Sequence, residues 1–200
     1  MEWHYSNNQF DNATKNSNLQ MVIVTNDHNA KLIEQQADPD ILNLLTRTTP
    51  VHEDFLKRYN DAKSAIAFRK SGTQAVTDKL GLLRSTSLRK WDAQVQVNYL
   101  SGSVEYTAVF PNGLTAFHTS TIDQTVVMLK GLADRMGSFA PLAAVAAEVN
   151  TFYTELKDLR DAQQGKEQLV GQTATLLEES RKKLAAMMYG NLGLLIDKYA

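Results

Sequence analysis

The chain has no cysteine, which removes disulfides, thiolate metal sites and cysteine nucleophiles together. That is the usage of a reducing compartment, and a cytoplasmic location is the expectation. Met1 to Gln20 is polar and asparagine-rich and lacks the basic segment followed by an apolar one that a secretion signal needs. Long hydrophobic runs are missing too. Phe139 to Ala147 and Leu184 to Ile196 are the longest, both shorter than the roughly 20 residues that cross a bilayer, and the second holds Tyr189, Gly190 and Asn191. No transmembrane helix is expected.

The motifs of common catalysts are lacking as well. No Glu-x-x-His unit occurs, and di-iron helical bundles need two. His52-Glu53 begins like a zincin motif, but the second histidine is absent because residue 56 is leucine. The four histidines, at 4, 28, 52 and 118, are scattered and read as surface or capping residues, so no metal is assigned. Neither phosphate-loop nor dinucleotide glycine spacing occurs, and no serine sits in Gly-x-Ser-x-Gly. Acidic residues such as Asp158, Asp161, Glu178 and Glu179 stand beside Arg160, Arg181, Lys182 and Lys183, the pattern of a solvated helix face. The expectation is a non-enzymatic protein with no catalytic residue and no cofactor.

Charge of one sign is scarce overall, at a net −1, but it is unevenly placed. Residues 57 to 90 carry nine basic and two acidic side chains, whereas residues 1 to 54 carry three and eight. Arg69, Lys70, Arg84, Arg89 and Lys90 are therefore candidate anion contacts, for nucleic acid or an acidic protein. On a helix Lys79, Arg84, Arg89 and Lys90 scatter around the axis instead of forming a stripe, so a solvated face or pairing with the acidic head is the favoured reading over nucleic-acid binding.

What is present is helical periodicity. Two hundred residues with 43% apolar side chains can bury one domain's core. Residues 1 to 38 read as a flexible polar head in which Leu19 to Thr25 resembles a short strand, and residues 39 to 200 as a single helical domain. Thr49-Pro50 supplies an N-cap and a first-turn proline, so a helical zone is expected over 50–99, with a weak point at Ser71-Gly72. Its face runs through Val76, Leu80, Leu83, Ser87 and Trp91.

After Ser101-Gly102 the spacing changes to two, across Val104, Tyr106, Ala108 and Phe110. With the turn Pro111-Asn112-Gly113 and a return through Phe117, this predicts a β-hairpin over 103–118. A helix over 120–136 follows, capped at Ser120 or Thr121 with Asp123 or Gln124 as reciprocal partner.

From 141 to 199 the spacing is most regular. Val145, Val149, Phe152, Leu156, Leu159, Val170, Leu177, Leu184, Leu192 and Leu195 alternate in heptad fashion. The phase survives Gly165, although an antiparallel turn at 163–166 is the alternative. The fold class expected is mainly α: long coiled-coil-like helices with one short β-hairpin. Such a seam points to a scaffold that associates with further copies of itself or with another protein. A membrane-active protein using the hairpin and Leu184 to Ile196 is the second reading, less favoured.

Overall fold

A computed structural model describes residues 17–199. Every regular element among them is helical. In order they are α1 (Ser17–Glu34), α2 (Pro39–Leu82), a π turn (Leu83–Ser87), α3 (Leu88–Asn98), α4 (Val104–Val109), α5 (Thr115–Thr119), α6 (Ile122–Gly137), a 3-10 turn (Ala140–Leu142) and α7 (Ala143–Tyr199). The mainly α class is as expected; the β-hairpin is not, since no strand occurs among the described residues. The described residues divide into two compact units, one running to Ala67 and resuming at Gln168, the other Phe68–Glu167.

In the first unit, the stretch expected as a strand, Leu19 to Thr25, lies inside α1. β-branched residues favour strands only weakly, and here tertiary packing wins. Met21, Thr25 and Leu32 fall on one helical face and are buried, with the Thr25 hydroxyl donating to the Met21 carbonyl at 2.7 Å. Of the expected polar head, residues 1–16 lie outside the described residues, while 17–34 form this helix.

The first long helix starts earlier than Thr49-Pro50. Asp38 accepts a hydrogen bond from the Asp40 N–H at 2.9 Å and Pro39 occupies the first turn, so Asp38-Pro39 carries the same cap-and-proline signal eleven residues upstream. Thr49 is no cap; its hydroxyl donates back to the Leu45 carbonyl at 2.9 Å. Pro50 sits inside the helix, where a proline costs about 3 kcal/mol. Burial of Ile41, Leu44, Thr48, His52 and Phe55 along one uninterrupted face outweighs it. Phe55 and Ala62 join Met21, Leu177, Leu184 and Met188 in this unit's core.

In the second unit α2 passes Ser71-Gly72 without irregularity. A Cβ on Gly72 would lie 3.0 Å from Lys166 Cδ and 3.6 Å from Gln163 Cα, so the glycine permits close approach to α7. The irregularity comes later, at the π turn, where the Leu88 N–H donates to the Leu83 carbonyl. One extra residue in that turn moves the buried face from Ser87 to Leu88. Val76, Leu80, Leu83, Leu88, Trp91 and Val95 are therefore the core positions. Trp91 meets Phe152 of α7 edge-on, with ring centroids 5.5 Å apart.

Residues 103–118 form α4 and α5 in place of the two strands. Ser103 caps α4 by accepting from the Tyr106 N–H at 3.1 Å. Arg135 donates to the Val109 carbonyl at 3.0 Å, and Arg84 to the carbonyls of Phe117 at 3.2 Å and Ser120 at 3.5 Å. These guanidinium groups satisfy helix-end carbonyls that a hairpin would have paired across a ladder. Tyr106 donates to Asp92 at 2.8 Å, and Phe110 and Phe117 are buried. The turn at Asn112-Gly113 is real, with Gly113 at φ +62°, but it joins helices. The period-two reading failed because Val104 faces solvent while Val109, adjacent to Phe110, is buried.

The start of α6 matches expectation. Thr121 accepts from the Gln124 N–H at 3.3 Å and Gln124 Oε1 accepts from the Thr121 N–H at 2.9 Å, a complete capping box. Beyond Pro141, α7 runs as one element through Gly165.

Candidate functional site

The seam expected on α7 is largely used inside the chain. Val145, Val149, Phe152 and Leu156 are buried in the second unit's core, against which Leu159 packs. Leu177 and Leu184 are buried in the first unit, and Leu195 packs on Leu32, Ile41 and Leu44. Val170 is half-buried, and Leu192 is exposed. Of these seam positions Leu192 is open to a partner, and the buried ones are not.

The basic candidates are not gathered into one site either. Arg84 is committed to backbone carbonyls, and Lys90 pairs with Glu148 at 2.6 Å. Arg69, Lys70 and Arg89 are exposed. Such dispersed, internally used cations make a weak electrostatic footprint for a phosphate backbone.

The first unit holds two features that sequence periodicity did not reveal. One is a polar network joining α1, α2 and α7. Asn191 donates from Nδ2 to the Thr48 hydroxyl at 2.7 Å and lies 3.2 Å from His28 Nε2. Its two N–H bonds thus serve two acceptors, and His28 carries its proton on Nδ1. His52 Nε2 lies 2.9 Å from Asn26 Oδ1, and its Nδ1 lies 3.3 Å from Asn29 Nδ2. Both imidazoles are neutral in this arrangement. Burial pushes His28 below the usual histidine value, opposed by Asp27 and assisted by His52. Burial likewise lowers His52, opposed by Glu53.

The second feature is a groove of about 660 Å³ between α2 and α7. Val51, Ala186, Met187 and Leu194 make its walls apolar, with Gly190 and Asn191 between them. Arg47 and Lys183 border it, and neither forms an ion pair among the described residues. A smaller recess of about 370 Å³ shares Arg47 and Leu194 and extends to Asp40 and Lys198. Lys198 closes that end, donating to Asp38 at 2.8 Å and to Asp40 at 2.6 Å. The Lys198 bond to Asp38, with the Asp40 N–H and the Tyr199 hydroxyl donating to the same carboxylate, holds the Asp38 carboxyl down to about 2.

Apolar side chains also face solvent. In the first unit Leu19, Ile23 and Ile33 of α1 are 49%, 53% and 49% exposed. In the second, Val97, Leu100 and Val104 are 83%, 80% and 83% exposed around the turn that holds Gly102 at φ +87°. Among the described residues no helix is long and apolar enough to cross a membrane, and no cluster of three or more histidine or carboxylate side chains is arranged to hold a metal. The groove was hidden because its cations and small residues lie on no single stripe. Thr48 and Asn191 left a fainter signal as polar residues at core spacing. No family model, curated protein or solved structure matches this chain.

Proposed function

We propose that this chain is a non-enzymatic helical scaffold that acts by binding protein, with further copies of itself as the partner. The observation that carries the reading is that α1 is apolar on two faces. Met21 and Leu32 are buried within the first unit, while Leu19, Ile23 and Ile33 face outward. A surface helix normally has one apolar stripe, and a second one supplies a surface for another helix to cover. Light scattering coupled to size exclusion tests it. A mass above 22.3 kDa that rises with concentration supports self-association, and a 22.3 kDa particle at every concentration contradicts it.

A second reading is favoured by the exposed trio Val97, Leu100 and Val104: insertion of the α3–α4 turn into a lipid surface. Co-sedimentation with liposomes that is lost on changing all three to serine supports it. No sedimentation over a range of pH and lipid charge removes it.

A further inference from the structure

The outer face of α1 has a chemical counterpart in the same unit. At about 100° per residue, Leu19, Ile23, Ala30 and Ile33 share one arc of the helix, and Asp27 and Glu34 run along one border of that arc. All six are exposed. The two carboxylates are seven residues apart, about 10.5 Å along the axis.

The groove between α2 and α7 has apolar walls and two bordering cations. Its register is set by the Thr48–Asn191 hydrogen bond and by the Lys198 bonds to Asp38 and Asp40, which make the helices antiparallel. Arg47 is next to Thr48, at the level of Asn191, and Lys183 lies eight residues before Asn191. The two cations are therefore separated by about 12 Å along the groove. Glutamate and aspartate at a spacing of seven match this, because the long arginine and lysine side chains take up the remaining difference.

We infer that the groove receives the outer face of α1 from a second copy of the chain, with Asp27 and Glu34 of that copy opposite Arg47 and Lys183. This rests on the self-association reading and names its contact. A chain does not fill its own groove in this way. The inner face of α1 is held through Met21, Leu32 and His28, so Leu19, Ala30 and Ile23, about half a turn away, point outward. Groove-to-groove pairing would set Arg47 and Lys183 against their own kind, whereas α1-to-groove pairing joins opposite charges. Glu34 contacts Lys31 at 3.0 Å in solvent, an exposed pair that is readily exchanged for another. Exposed Ala186 and Gly190 let the incoming helix approach closely; nothing lies within 4 Å of a Cβ built on Gly190.

The test is charge reversal on both sides in the full chain, with helical circular dichroism confirming that each variant is folded. R47E/K183E and D27K/E34K should each associate at least about tenfold more weakly than the unaltered chain. Mixing the two should restore association, because each then supplies the charges the other lacks. Raising salt should weaken the unaltered assembly. If the unaltered chain associates and both reversals leave its mass unchanged, the groove is not the contact and this inference is wrong, while the scaffold reading stands. If the unaltered chain is monomeric throughout, both fall.

Discussion

Replacing Asn191 with alanine isolates what holds α1 to the two long helices of the first unit. The Asn191 side chain is 1% exposed and donates to both Thr48 Oγ1 and His28 Nε2. Alanine removes both donors. The Thr48 hydroxyl can turn its own proton to another acceptor, but the half-buried His28 nitrogen is left without its donor, at about 1–3 kcal/mol. Adding the loss of packed atoms, the expected destabilisation is about 2–3 kcal/mol, or a fall of about 6–10 °C in Tm for a chain of this size. Thermal melts followed by circular dichroism at pH 7.5 read this directly.

The same variant should change the acid response. His28 and His52 are held below their ordinary values by burial, so the unfolded chain binds protons first as pH falls below about 6.5, and stability drops from there downward. Without Asn191, protonating His28 no longer breaks a hydrogen bond, and the gap in Tm between the two chains should narrow from pH 7.5 to pH 5. A Tm within about 2 °C of the parent at pH 7.5, or a gap that widens on acidification, would refute the network as drawn.

Other substitutions separate buried from exposed seam positions. Leu156→Asp buries a carboxylate in the second unit's core and should abolish its cooperative unfolding, followed by Trp91 fluorescence, whereas Leu192→Asp, at an exposed position, should leave the melt within about 0.5 kcal/mol of the parent. Thr121→Ala removes half of the α6 capping box and should cost about 1 kcal/mol in urea titrations. Arg135→Ala leaves the Val109 carbonyl without its donor and should raise hydrogen exchange in α4 selectively.

Helical class, the α6 capping box and the core positions from Val145 to Leu156 were legible because each depends on neighbours three or four residues away, whereas the sequence leaves the path of α7 at 163–166 open, its phase being compatible with a turn. The failures share a cause in long-range partners. Arg84 and Arg135 donate to the Phe117 and Val109 carbonyls, 33 and 26 residues away, and support residues 103–118 as helices; no local spacing announces them. At Thr49-Pro50 a sound start signal was present, but a continuous buried face from Ile41 to Phe55 overrode it, and the equivalent signal at Asp38-Pro39 carries the cap. The π turn shifted one core position, from Ser87 to Leu88, which a fixed 3.6 period cannot register. The groove was invisible because Arg47 and Lys183 are 136 residues apart in the chain and meet only through the antiparallel register of α2 and α7.

If the chain acts by assembling, as proposed, its mass in solution reads this out. Light scattering on the unaltered protein, across a concentration range at low salt, should give a mass that exceeds 22.3 kDa and grows with concentration. A constant 22.3 kDa would contradict it.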